Sequence, residues 1–195
     1  MACADTKKRK CNLMKKTFSL VLALCLCLAA SVGFAERFGL GIVTDIASSY
    51  DAAVEGDKAT DGRAQVNSTI VAVVLDDDGI IVDIKVDVAQ TRVGFSPEGA
   101  ITSDLAAEIK SKVELKEDYN MKRVSAIEKE LYEQLWGFEE FCIGKPAADI
   151  ISMSTSEQNG HTGVADDPDL KAVCSISIGE ILEALAKAVD SAFAR

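Results

Sequence analysis

Two β-rich runs joined by Asp76-Asp77-Asp78-Gly79 constrain the fold of this chain more than any other segment. Asp-Gly between such runs is a strong hairpin signal, because glycine accepts the positive φ that a tight turn demands. Before the turn, Ile70-Val71-Ala72-Val73-Val74-Leu75 is apolar on both faces, as a central strand is. After it, Ile80, Val82, Ile84, Val86 and Val88 alternate with Ile81, Asp83, Lys85, Asp87 and Ala89. That period of two predicts a half-buried strand with its apolar face on the even residues. A lone hairpin is not stable in water, so other elements must pack on it.

The flanking sequence supplies them. Phe38 to Ala47 reads as a further strand with Leu40 and Ile42 apolar, and Gly39-Leu40-Gly41 as an irregularity in it. Ser48 to Arg63 reads as a polar loop, Ala64 to Leu75 as the strand before the turn, and Thr91 to Gly99 as a loop. Ser103 is a good N-cap for a helix running through Lys112, with Leu105 and Ile109 on one face. Val124, Ile127, Leu131, Leu135, Phe138 and Cys142 recur at spacings of three and four, predicting an amphipathic helix ended by Gly144 and Pro146. Short strands are expected at Ile150 to Thr155 and Ala172 to Ser177, with a polar loop from Gln158 to Pro168 between them. Ile178, Ile181, Leu182, Leu185, Ala188, Val189 and Ala192 mark a final amphipathic helix. The expected fold class is α+β, a small antiparallel sheet around the 64–90 hairpin with helices packed on it.

The N-terminal sequence sets the compartment. Met14-Lys15-Lys16 precedes an apolar run from Phe18 to Val32, then Gly33-Phe34-Ala35. A basic start, a short apolar core and small residues before a cut form a secretory signal. The run falls short of the ~20 residues that span a bilayer as a helix. Residues 1–35 therefore read as an N-terminal extension and signal peptide, with Met14 the better start. Residues 36–195 read as one α+β domain outside the cytoplasm, tied to a membrane only if the signal stays uncut. Cys25 and Cys27 each follow leucine, not the small residue of a lipid-attachment site.

Residues 1–35 hold six of the 21 Lys/Arg and one of the 31 Asp/Glu, leaving 15 bases and 30 acids, a net charge of -15. Such a surface repels nucleic acid. Only Cys142 and Cys174 of the six cysteines lie beyond Ala35. An oxidising compartment invites a disulfide between them, and core-like surroundings suit two buried free thiols.

Val66 to Gln90, with its Asp-Asp-Gly-Ile-Ile-Val turn, resembles the hairpin of the FMN-binding domain family. Lys110-Ser111-Lys112 followed by Asp118-Tyr119-Asn120-Met121 is similar to a segment of its exported lipoprotein members. Ser175-Ile176-Ser177-Ile178-Gly179-Glu180 stands where that family carries its flavin-attachment motif, so the resemblance spans residues 64 to 195 in pieces. It implies an exported electron carrier with an extracytoplasmic redox partner and no catalytic residues of its own. The Gly-Ala pair of the covalent motif is absent here, so the resemblance implies non-covalent FMN held near Ser175, Ser177 and Gly179, or a fold that has lost its cofactor. Ser177 precedes a helix start, where free N–H groups favour a phosphate; the same position suits a simple N-cap.

The other chemistry-bearing residues point to no reaction. His161 is the one histidine, in Asn159-Gly160-His161-Thr162-Gly163, and reads as a solvated loop residue with no nucleophile to serve. No cysteine or histidine has zinc-ligand spacing. The acidic runs at Asp76 and at Asp166 lack a calcium-loop pattern and read as turn and helix-start residues. Tyr132 and Trp136 are candidates to stack on a flavin, with partial core burial the expectation for Trp136.

Overall fold

The hairpin forms the spine of a three-stranded antiparallel sheet. The computed structural model describes residues 36–158 and 160–193; the expected signal segment lies outside the described residues. The elements run β1 (Arg37–Asp45), β2 (Ala53–Glu55), β3 (Lys58–Thr60), β4 (Gly62–Leu75), β5 (Ile81–Phe95), α1 (Lys112–Leu115), a 3-10 turn (Lys116–Tyr119), α2 (Leu131–Cys142), α3 (Ala147–Ile151), β6 (Thr155–Gln158), β7 (His161–Ala165), α4 (Pro168–Lys171) and α5 (Gly179–Phe193). The main sheet has the order β1-β4-β5, and β2-β3 and β6-β7 form two small hairpins. The fold is α+β.

The turn forms as its residues dictate. Asp76 accepts the N–H groups of Asp78 and Ile80 on its carboxylate, and Gly79 takes φ 78. A register shift beside it alters the expected pattern. Val74 pairs with Asp83 but Leu75 with Ile81, so Val82 is an extra residue on β5 and faces solvent. Ile81, Ile84 and Val86 are therefore the buried residues. β5 also runs on to Phe95, well past the loop start expected at Thr91, because β4 pairs with it as far as Gly62↔Phe95.

Helix α5 lies across β1 and β4. Gly39 and Gly41 face it with no side chain between, and a Cβ on either would stand 1.9 Å from the carbonyl oxygen of Ala188 or Ala184. Leu40 and Ile42, expected on an apolar face, are thereby turned outward and exposed. Behind α5 the core is filled by Val71, Val73 and Leu75 of β4, Ile84 of β5 and Leu135 and Phe138 of α2.

Several expected elements do not form, each for a local reason. The helix from Ser103 is a series of turns, with Leu105 77% and Ile109 59% exposed, so its apolar stripe has nothing to pack on. The helix expected from Val124 starts only at Leu131. Glu128 has φ 53, outside the helical region, and Ser125 accepts the N–H groups of Ile127 and Lys129 in a turn. Ile150 lies on α3, which opens at Pro146, and the strand beyond it spans only Thr155–Gln158. Ala172–Ser177 carries no strand: Val173 and Cys174 continue the turn of α4 by donating to the Leu170 carbonyl. The loop from Gln158 instead folds as the β6-β7 hairpin.

Cys142 and Cys174 are free and buried. Burial pushes their thiols up to about 12 and about 11. Thiol reagents attack the thiolate, so both are expected to be inert in the folded chain from Glu36 onward and both reactive after denaturation. A thiol titration with and without denaturant checks this, and a fast native reaction would show an open core. Gly41→Ala is expected to destabilise the fold by about 3 kcal/mol, read from chemical denaturation, because strand and helix backbones must part to admit one methyl group.

Candidate functional site

The inner face of β4 changes character halfway along. Val71, Val73 and Leu75 are apolar core, whereas Gln65, Asn67 and Thr69 on the same face are polar. They are satisfied in a cross-strand ladder. Asn67 donates to Asp45 of β1 at 3.2 Å and accepts from Gln65 and Gln90 at 2.9 and 3.0 Å. Arg92 donates to Gln65 at 3.0 Å, and Thr69 donates to Glu180 of α5 at 2.8 Å. Where the core stops, a cavity of about 850 Å³ begins.

Four stretches of chain enclose the cavity. β4 contributes Asn67 and Thr69, the segment Tyr119 to Ile127 forms a wall, α2 gives Leu131, Gln134 and Leu135, and Thr162 to Val164 of β7 meets the start of α5. The three cofactor-binding candidates from the sequence, Ser175, Ser177 and Gly179, all line it. So do Lys112, Lys171 and His161, together with the acidic Asp45 and Glu180. His161 is thus exposed but belongs to β7 and the cavity rim, not to a detached loop.

The start of α5 is bare backbone. Ile178 donates its N–H to Gly163 at 2.8 Å, while the N–H groups of Gly179, Glu180 and Ile181 have no acceptor among the described residues. Gly163 takes φ 76, and a Cβ there would come within 3.4 Å of the Gly179 nitrogen; a Cβ on Gly179 itself would meet open space. Ser177 does not cap this helix. Its hydroxyl donates to the Thr162 carbonyl at 2.5 Å, pinning the approach to α5 against β7.

Gln134 holds two walls together. It is fully buried on the apolar stripe of α2. Its amide nitrogen donates to the Ser125 hydroxyl and the Lys129 carbonyl, both at 3.1 Å. Its oxygen accepts the Ser175 N–H at 3.0 Å and its hydroxyl at 3.2 Å. Glu130, also buried, accepts the Met121 N–H at 2.7 Å and anchors the other end of the same wall. Neither residue figures among the candidates read from the sequence. A glutamine three after Leu131 and four before Phe138, on an otherwise apolar face, is the signal that marks it as buried and bonded.

Trp136 and Tyr132 lie elsewhere. Their rings meet edge to face at 4.9 Å, with Trp136 46% exposed, so the expected partial core burial of Trp136 gives way to mutual packing at the surface. Asp167 caps α4, accepting the N–H groups of Asp169 and Leu170, as its place in the acidic run suggests. Among the described residues no cluster of His, Cys, Asp or Glu could hold a metal ion. None of their helices is long and apolar enough to cross a membrane.

No protein-family model matches the chain, and no curated protein or solved structure does either.

Gln134→Leu keeps the volume and removes both sets of bonds. It is expected to destabilise the chain by about 1–3 kcal/mol, because it strands the half-buried N–H of Ser175. Amide hydrogen exchange should speed up at Ser175 and along residues 121–129 while β4 and β5 stay protected.

Proposed function

We propose that this is an exported protein of FMN-binding-domain type that holds FMN without a covalent bond and passes electrons to an extracytoplasmic redox partner. The observation that carries the reading is the convergence, in one cavity, of an open helix start and an apolar wall. The free N–H groups at the start of α5 are suited to a phosphate. Lys112 and Lys171 add positive charge at the rim of a chain that is otherwise strongly acidic. Tyr119, Met121, Ile127, Leu131 and Ile176 offer an apolar surface to a ring system. When bound, FMN supplies reversible one- and two-electron chemistry. The chain's own part is to orient the cofactor and shield it from water.

A second reading is a cofactor-free exported protein that binds another ligand or a partner. It is favoured by Glu180, whose carboxylate stands in the first turn of α5, bonded to Thr69. A carboxylate there already answers the helix dipole and disfavours a phosphate beside it.

The test uses protein isolated from the exported fraction of its host. Flavin absorption bands with an unchanged polypeptide mass are expected, or uptake of added FMN measured by fluorescence quenching. Riboflavin, lacking the phosphate, should bind at least about tenfold more weakly. Gly179→Asp places a negative charge in open space at the helix start and should weaken FMN by a similar factor without unfolding the chain. Absence of flavin and of any uptake would sink the FMN reading in favour of the second.

A further inference from the structure

The two edges of the main sheet are treated in opposite ways. On β5 the outward N–H groups from Ile84 to Val88 are occupied. Glu139 accepts the N–H of Val86 at 2.9 Å, and Asp83 and Asp87 accept those of Ile84 and Val88. Ile81 exchanges bonds with the backbone of Gly144 and Lys145. Such an edge cannot accept another strand. On β1 no backbone group of the open edge has a backbone partner among the described residues. One side chain reaches it, Lys187, whose ammonium touches the Ile42 carbonyl at 3.4 Å.

That contact also fixes the geometry. The Ile42 carbonyl points outward, so by alternation the backbone groups of Phe38, Leu40 and Thr44 do too. The outer face of the sheet is graded toward the same edge. β5 presents Lys85 and Asp87 there, β4 the half-buried Ile70 and Val74, and β1 presents Phe38, Leu40 and Ile42, exposed by 64%, 45% and 48%.

We propose that β1 pairs antiparallel with the β1 of a second copy, joining two sheets in the order β5-β4-β1-β1-β4-β5. Charge selects both the partner and the register. The chain from Glu36 onward is strongly acidic, so two copies repel over most of their surface. β1 is the exception: its only charges are Arg37 at one end, paired at 3.4 Å with the exposed Asp77, and Asp45 at the other, bonded to Asn67 at 3.2 Å. Each thus already has a partner in its own chain and takes another across the seam. Two-fold pairing centred on Gly41 sets Arg37 opposite the partner's Asp45 and Leu40 opposite the partner's Ile42. A two-residue shift in either direction sets Arg37 opposite Val43 or Ala47 and leaves both end charges without a charged partner. Lys187 does not block the approach, because Glu183 neutralises it at 2.9 Å and its long stem can swing aside. The apolar strands then meet at the centre, and the charged β5 strands form the rim.

Sedimentation equilibrium of the chain from Glu36 onward, over a wide concentration range, is expected to show a monomer–dimer equilibrium. Leu40→Lys should leave circular dichroism and thermal unfolding of the monomer unchanged, since the side chain is exposed, and should abolish the dimer. For the register, Leu40→Cys and Ile42→Cys proteins are mixed with a short thiol cross-linker. They should join to each other in preference to themselves. A monomer at every concentration overturns the proposal, whether or not a peptide or another protein binds the edge. A dimer indifferent to Leu40→Lys, or one in which each cysteine variant links chiefly to itself, overturns it equally. None of these readouts depends on flavin.

Discussion

The contact between two glycines and an alanine stripe governs the rest of this molecule. Ala184, Ala188 and Ala192 recur every fourth residue on α5 and are buried against β1, where Gly39 and Gly41 offer only backbone. Small residues on both sides let helix and strand approach far closer than branched side chains would. A helix rises ~1.5 Å per residue, so the start of α5 lies ~13 Å from Ala188. With the helix axis seated on the sheet, that lever places Gly179 and Glu180 beside Thr69 and against Gly163. The position of the helix start in the cavity is set by packing that begins more than one turn away.

The second organising feature is polar and buried. Glu130, Gln134 and Glu139 all lie on or at the start of α2 and are almost wholly removed from water. Burying such groups costs several kcal/mol unless they are bonded, and each is bonded to chain that lacks regular structure or a strand neighbour. Glu130 takes the Met121 N–H, Gln134 ties Ser125 and Lys129 to Ser175, and Glu139 takes the β5 edge. Lys85 completes the last group at 2.9 Å, although its ammonium remains largely exposed. That bond, opposed by partial burial, raises the Lys85 pKa. Its contribution is thus full below the ordinary lysine value and is lost as pH climbs through the raised one. α2 acts as a post to which the irregular walls of the cavity are fastened.

These two features explain what is legible in the sequence. The β4-β5 turn and the final helix are, because local chemistry and tertiary packing agree there: Asp-Gly fits its φ, and the α5 stripe meets a sheet. The segment from Ser103 to Glu130 is not. Its spacing is helical, yet Leu105, Ile109 and Val124 stay exposed, and bonds to the side chains of Glu130 and Gln134 fix it in another shape. The same holds for Ala172–Ser177, whose β-rich letters are drawn off ladder pairing by the Leu170 carbonyl and by Gln134. Of the site, Ser175, Ser177 and Gly179 are legible through the family resemblance of their segment and its place at the start of the final helix. Thr69, Glu180 and Gln134 are not, since their meaning lies in partners 41 to 111 residues away.

The glycines of β1 have a cost on the opposite face. Side chains of a strand alternate, so a strand that turns Gly39 and Gly41 inward gives the core almost nothing from its own side chains. Its apolar residues, Phe38, Leu40 and Ile42, are forced outward by the same alternation. Exchanging them for polar residues would leave the seat of α5 untouched, since none of them contacts it through the sheet. Their apolar character is therefore not required by the monomer's packing, and it works against the solubility that the acidic surface confers. A strand that must be small within and need not be apolar without, yet is, on the sheet edge that has no backbone partner among the described residues, has the composition of a surface meant to be covered.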